Sequence, residues 1–128
     1  MSRLLPILLS VLVLVGCASE PIYNVADHAV PAFTPKLTLE QVEAAIIQGG
    51  RLRGWTFERA GVGRLAATQS QPKYAATVDI AFTPDSYRIT YKSSRGLEEM
   101  NGNIHSHYNF WVRNLDQDIE NALRNARL

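Results

Sequence analysis

Four stretches in the middle of the chain alternate apolar and polar residues, which is the pattern of half-buried β-strands. They cover residues 55–58, 64–69, 76–82 and 87–92. Turn sequences separate them, among them Gly61-Val62-Gly63 and Thr83-Pro84-Asp85. Strands joined by short turns lie next to each other, so the pattern predicts a four-stranded antiparallel meander with one buried and one exposed face.

Two stretches with a helical period flank the meander. The first, about 39–48, begins with Thr38 and Gln41 in the spacing of a capping box, and Gly49-Gly50 is predicted to end it. The second runs from roughly 104 to 125 and carries an apolar stripe at spacings of three and four. The predicted fold class is α+β: two layers in the order α-β-β-β-β-α, with a short N-terminal and a long C-terminal helix packed on one face of the sheet. The predicted core is Val42, Ile46, Trp55, Phe57, Leu65, Val78, Ile80, Phe82, Ile89, Trp111, Leu115 and Ile119.

The beginning of the chain shows neither the alternation of a strand nor the period of an amphipathic helix. Met1-Ser2-Arg3 carries one positive charge, and residues 4–15 are apolar except for Pro6 and Ser10. This apolar run is too short to cross a hydrocarbon core, which needs about 20 residues. A charged start, an apolar middle and a small-residue site are typical of a secretory signal peptide, so the sequence predicts export.

This apolar run ends in Leu14-Val15-Gly16-Cys17, which resembles the lipobox of bacterial lipoproteins. In that family a diacylglyceryl group is placed on the cysteine thiol, the signal is cut before it, and the new amino group is commonly acylated. The resemblance implies that residues 1–16 are a lipoprotein signal peptide and that Cys17 is lipidated. It also implies the periplasmic leaflet of the outer membrane, because Ala18 replaces the Asp that often marks retention in the inner membrane. The alternative is that Cys17 is a buried apolar residue of an N-terminal helix.

A second resemblance covers the end of the chain. The alternating YRITYKSS, followed by IHSHYNFWVRNL, is similar to small uncharacterised proteobacterial lipoproteins. That resemblance implies a location and no activity.

The rest of the chain divides into two parts. Residues 17–35 contain three prolines and no helical period, which predicts a lipidated tether, although their apolar residues exceed what a linker needs. Residues 36–128 are predicted to form a single α+β domain. The whole chain has 13 Lys and Arg against 12 Asp and Glu, and this balance argues against a general nucleic-acid binder.

Basic residues are concentrated between positions 51 and 95, where eight Lys and Arg accompany three acids. Arg64, Arg88 and Lys92 fall on polar positions of the predicted strands. They form the candidate binding face towards another envelope component. The alternative is a solvated sheet face whose charges prevent association between sheet edges.

Two further motifs carry residue types used in chemistry. His105 and His107 lie two apart near the start of the second helix, with Glu98 and Glu99 in the preceding loop, and together they are a candidate metal site. The alternative places both histidines on the polar side of the helix start. Residues 61–66 fit G-x-G-x-x-A, but their position between two strand patterns favours a hairpin over a dinucleotide site. No cofactor is predicted.

Three functions stay open at this point. The favoured one is a non-enzymatic interaction or structural module, held to the membrane by lipid on Cys17. The second is a small-ligand-binding lipoprotein with a pocket between sheet and C-terminal helix near Tyr87, Tyr91 and Tyr108. The third is a metal-dependent protein or enzyme that uses His105 and His107, although no nucleophile motif accompanies them.

Overall fold

The computed structural model describes residues 18–126, so the predicted signal peptide and Cys17 lie outside the described residues. In chain order the elements are β1 (Ser19–Pro21), β2 (Val25–Ala29), α1 (Leu39–Arg51), β3 (Thr56–Gly61), β4 (Arg64–Ser70), β5 (Ala75–Phe82), β6 (Ser86–Arg95), β7 (Asn103–His105) and α2 (Ser106–Arg124). Within this part of the chain, no helix is both long and apolar enough to cross a membrane.

The α+β class is confirmed, and the predicted number of strands is wrong. Strands β3 to β6 form the expected antiparallel meander, but β2 adds a fifth strand at the free edge of β6, in the order β2-β6-β5-β4-β3. A separate two-stranded sheet pairs β1 with β7. The prediction missed these strands because β1 and β7 have three residues each and β2 has five. So few residues give a weak periodic signal.

One face of the five-stranded sheet is buried under both helices. Along β5 every second residue is buried, including Val78 and Ile80, and the residues between them are more exposed. Ten of the twelve predicted core residues are buried. Phe57 and Trp111 are only partly buried and pack against the edge of the core, so placing Trp111 in the core is wrong. The opposite face of the sheet is left open.

The segment predicted as a tether, 17–35, packs on the domain from Ala18 onward. Val25 and Val30 are buried in the core. Asn109, which is 2% exposed on α2, accepts a hydrogen bond from the backbone N–H of Tyr23 at 2.9 Å and donates one to the carbonyl of Pro21 at 2.9 Å. The described part of the segment is therefore a component of the fold, and its apolar residues are explained by this packing.

Helix α1 begins as predicted and ends later. Thr38 Oγ1 accepts from the Gln41 N–H at 3.1 Å, and Gln41 Oε1 accepts from the Thr38 N–H at 2.9 Å, so the capping box is confirmed. Gly49 and Gly50 do not stop the helix, which continues to Arg51. Both glycines are buried where α1 crosses α2. A Cβ on Gly49 would lie 2.7 Å from the carbonyl oxygen of Asp118, so the absent side chain permits close helix packing.

Gly49→Ala is expected to lower the free energy of unfolding by about 1–3 kcal/mol. The new Cβ would collide with the backbone of α2, which cannot rotate away as a flexible side chain can. This cost has to exceed the gain of about 1 kcal/mol in helix propensity. Urea unfolding measures the change, with Gln48→Ala at the exposed neighbouring position as the matched control. A Gly49→Ala protein as stable as the parent would contradict the observed helix crossing.

Candidate functional site

The open face of the sheet brings two of the three predicted basic residues together. Arg64 on β4 pairs with Ala81 on β5, and Ala81 pairs with Arg88 on β6. Directly paired residues point to the same side of a sheet, and neighbouring strands lie about 4.8 Å apart, so the Cα atoms of the two arginines are about 10 Å apart. The short side chain of Ala81 leaves the space between the two guanidinium groups open.

A cavity of about 460 Å³ lies at this end of the sheet, and both arginines line it. Its other lining residues are Ala26, Asp27, Val62, Gly63, Ala81, Phe82, Thr83, Ser86 and Tyr87. The β3–β4 turn is held in place because the Phe82 N–H donates to the Gly63 carbonyl at 2.9 Å. Gly63 has a φ of +68°, a conformation that favours glycine. The cavity is of the size that small molecules or single side chains occupy.

Arg64 and Arg88 belong to the basic residues of the domain whose charges no ion pair neutralises. Both are exposed, and neither guanidinium has a hydrogen-bond or ion-pair partner among residues 18–126. Five other basic residues do have carboxylate partners, in the pairs Lys36–Asp85, Arg53–Asp118, Arg59–Glu43, Lys92–Asp79 and Arg124–Glu120. Within residues 18–126, Arg51, Lys73, Arg95 and Arg113 also lack a carboxylate partner. Two unpaired guanidinium groups on either side of a small residue are suited to binding an anion.

The third predicted residue of the binding face, Lys92, is not part of this cavity. It lies four positions along β6 from Arg88, which corresponds to about 13 Å. Its Nζ is 3.8 Å from Asp79 Oδ1, so a carboxylate on the neighbouring strand balances its charge. The candidate site is therefore smaller than the predicted face and consists of Arg64, Arg88 and the walls of the cavity.

His105 and His107 belong to a helix cap and an aromatic cluster. His105 Nδ1 accepts a hydrogen bond from the His107 N–H at 3.1 Å, which caps the first turn of α2. The ring of Tyr74 lies 6.1 Å from the His105 ring and 5.4 Å from the His107 ring, measured between centroids. In the described part of the chain, no group of three or more His, Cys, Asp or Glu is arranged to hold a metal ion.

The three tyrosines of the predicted ligand pocket fill the space between sheet and helix. Tyr87 and Tyr108 are buried, and the ring of Tyr91 packs edge-on against Tyr108 with 5.4 Å between centroids. Burial raises the pKa of Tyr108 above its usual range, so its phenol stays neutral. Tyr87 and Tyr108 are core residues, Tyr91 is partly buried against the core, and Tyr87 also lines the arginine cavity.

A polar cluster that the sequence analysis missed joins β2 to α2. His28 Nδ1 lies 2.7 Å from Asp116 Oδ1, and the Tyr87 hydroxyl donates to the same oxygen at 2.5 Å. Burial, followed by this hydrogen bond, raises the pKa of Tyr87 well above its usual range and keeps the phenol protonated. The His28 and Tyr87 rings also stack with 4.9 Å between centroids. The cluster fastens the N-terminal segment to the domain, and no local sequence signal connects residues so far apart.

Comparisons with protein-family models, with curated proteins and with solved structures give no match to this chain. The site therefore has to be interpreted from its own geometry. A planar guanidinium presents several N–H donors in a fork that fits a carboxylate or a phosphate. Two such forks about 10 Å apart can both reach one anionic group placed above Ala81.

Proposed function

We propose that the protein is a lipid-anchored lipoprotein of the bacterial envelope, located on the periplasmic leaflet of the outer membrane. It acts as a non-enzymatic interaction module that binds an acidic group of an envelope partner between Arg64 and Arg88. The location is supported by the lipobox resemblance of Leu14-Val15-Gly16-Cys17. The binding role is supported by one observation, the pair of unneutralised arginines that flank Ala81 in a single cavity.

The chemistry of the cavity favours a single carboxylate as the bound group. Each guanidinium donates to the anion, and the two positive charges repel each other less once the anion lies between them. Asp27 lines the same cavity and disfavours a ligand with several negative charges. Exposed ion pairs each contribute only about 0–1 kcal/mol, so the contact has modest affinity and weakens with salt. Such a contact suits an acidic side chain within a larger protein interface.

The other polar groups of the cavity support binding in preference to catalysis. The Thr83 hydroxyl is used in the β5–β6 turn, where it accepts from the N–H groups of Asp85 and Ser86 at 3.1 Å each. The Tyr87 hydroxyl is engaged with Asp116 on the other side of the sheet. These two hydroxyls are therefore occupied in holding the fold, and the arginines are the cationic groups of the cavity that can contact an anion.

Replacing both arginines, Arg64→Gln with Arg88→Gln, is expected to weaken binding of a peptide whose one acidic group is a glutamate side chain about tenfold or more. A tenfold change corresponds to about 1.4 kcal/mol, which is the scale of losing two exposed charge-assisted contacts. Fluorescence anisotropy of a labelled peptide at low ionic strength measures the dissociation constant. The affinity of the unchanged protein is expected to fall as salt is added.

The matched control is Arg51→Gln with Arg95→Gln, which removes the same charge from two exposed positions away from the cavity. Its affinity is expected to stay close to that of the unchanged protein. An equal loss in both double variants would show that only net charge matters. That result, or an unchanged affinity in the Arg64 and Arg88 variant, would contradict the proposed site.

A further inference from the structure

An apolar surface lies at the other end of the sheet from the arginine cavity. Its residues, here called the aromatic patch, are Pro72, Tyr74, His107, Phe110 and Trp111. They line a cavity of about 470 Å³ together with Gln71 and with Lys73, whose side chain is the one formal charge among these lining residues. Phe110 is 60% exposed, although it is a large apolar side chain. The Tyr74 and Trp111 rings meet edge to face, with 6.5 Å between centroids.

The described chain begins beside this patch. Strand β1 pairs with β7, with Ser19 opposite His105. The carbonyl of Ala18 accepts a hydrogen bond at 2.6 Å from the N–H of Ser106, the first residue of α2. Cys17 is bonded to Ala18, so about 3.8 Å separate their Cα atoms. The predicted attachment point of the lipid is therefore close to the N-terminal end of α2.

The patch follows within about one and a half turns of the same helix. His107 is the second residue of α2, and Phe110 and Trp111 come four and five residues after Ser106. With a rise of about 1.5 Å per residue, Phe110 and Trp111 lie only about 6–8 Å along the helix axis from Ser106. A free coil of 18 residues would instead place the domain about 24 Å from its anchor. Because the segment is packed as β1 and β2, an acyl group on Cys17 would lie at the same end of the domain as the patch.

We infer that the aromatic patch docks on the phospholipid surface next to the acylated Cys17, and so fixes the orientation of the domain on the membrane. The inference rests on the proposed lipidation of Cys17. Trp and Tyr side chains favour the interface between headgroups and acyl chains, and an exposed Phe adds apolar area that the interface buries. Lys73 supplies a positive charge towards anionic headgroups.

This orientation also determines where the arginine cavity lies relative to the membrane. Strand β5 runs from Ala75, next to the patch, to Phe82, at the cavity. Its eight residues span about 24 Å, so a domain docked through the patch holds Arg64 and Arg88 about that far from the patch along the strand. The proposed binding site would then face away from the bilayer, where an envelope partner can reach it.

The test uses the full-length protein, purified from membranes and reconstituted into phosphatidylethanolamine–phosphatidylglycerol vesicles that contain brominated phospholipid. Bromine quenches tryptophan fluorescence at short range. The chain has two tryptophans, and Trp55 is only 3% exposed in the core. Trp111 fluorescence is expected to fall about twofold or more relative to vesicles without bromine. Trp111→Phe, which leaves only Trp55, is expected to show little quenching.

Two further variants define the surface that contacts lipid. Trp111→Phe with Val62→Trp places a tryptophan at a position that is 91% exposed in the opposite hairpin, and this tryptophan is expected to stay unquenched. Phe110→Asp is expected to reduce the quenching of Trp111, whereas Leu52→Asp, at a position that is 73% exposed, is expected to leave it unchanged. Neither Phe110 nor Leu52 is buried, so both variants retain the fold.

The intact mass of each sample reports separately whether Cys17 is acylated. An acylated protein whose Trp111 is unquenched would overturn the docking inference, whereas the proposed lipid anchor on Cys17 would be supported. Equal quenching at positions 62 and 111 would overturn it as well, because the domain would then have no preferred orientation. A protein without lipid on Cys17 would remove the proposed anchor itself, and the inference with it.

Discussion

A version of the protein that begins at Lys36 is expected to lose most of its stability relative to one that begins at Ala18. The shorter version lacks β1 and β2, which occupy the edges of the two sheets. It also lacks Val25 and Val30, which are buried in the core. Burying a valine contributes about 1.5–3 kcal/mol, so these two side chains alone contribute a large share of a typical total of about 5–15 kcal/mol.

The polar groups that remain add to this loss. The buried side chain of Asn109 forms hydrogen bonds with Tyr23, Pro21 and Glu20, and all three residues belong to the deleted segment. The deletion therefore removes these partners. An unsatisfied buried polar group costs about 1–3 kcal/mol. Asp116 also loses His28. The combined cost is expected to abolish cooperative unfolding, or to lower its midpoint strongly.

Urea unfolding followed by far-ultraviolet circular dichroism compares the two versions. The version that begins at Ala18 is expected to unfold in one cooperative transition. A point variant, His28→Ala in the longer version, is expected to show an intermediate loss, because it removes one contact and keeps both strands. If the version that begins at Lys36 unfolds with the same midpoint and slope as the longer one, residues 18–35 do not contribute to the fold.

Cys17→Ser is expected to have the largest effect on where the protein is found. Each buried CH₂ group contributes about 0.8 kcal/mol, and stable anchoring needs two acyl chains. Without the thiol, only the proposed contact of the aromatic patch would hold the protein to the membrane, and a contact through a few side chains is expected to be weak and reversible. Fractionation is therefore expected to move Cys17→Ser from the membrane to the soluble fraction. Ala18→Ser, which keeps the thiol, is the matched control and is expected to stay with the membrane.

The central strands and both helices could be predicted because their signals are local. The alternation in β5 and the apolar stripe of α2 each lie within one short window, so the period alone identifies the element. Strands β1 and β2 could not be found in this way. Their partners, β7 and β6, lie far along the chain, and pairing over such distances is set by tertiary packing.

The glycines show a second limit of sequence patterns. Gly49 and Gly50 follow an apolar helical period, which is equally consistent with a helix end and with a close helix contact. Only the position of α2 decides between these roles, because the backbone of Asp118 occupies the place of a Gly49 side chain. Trp111 shows the same limit, since a place on the apolar stripe does not tell whether the stripe extends beyond the core.

The candidate site was predictable in part. Alternation along β4 and β6 predicted that Arg64, Arg88 and Lys92 lie on the exposed face. In the structure all three residues are exposed. Which of them meet depends on the register with β5, where Ala81 lies between the two arginines and the Asp79 carboxylate lies 3.8 Å from the Lys92 ammonium group. The order of charged residues along the sequence does not determine that register, so the sequence alone could not predict which charges meet.

The most direct test of the account is the mass of the N-terminal peptide of the protein extracted from bacterial membranes. The mature chain is expected to begin at Cys17 and to carry a diacylglyceryl group on its thiol, with an acyl group on the new amino terminus. The Cys17→Ser protein is expected to carry neither modification. A membrane-extracted chain that still begins at Met1, or that has an unmodified Cys17, would contradict the lipoprotein account.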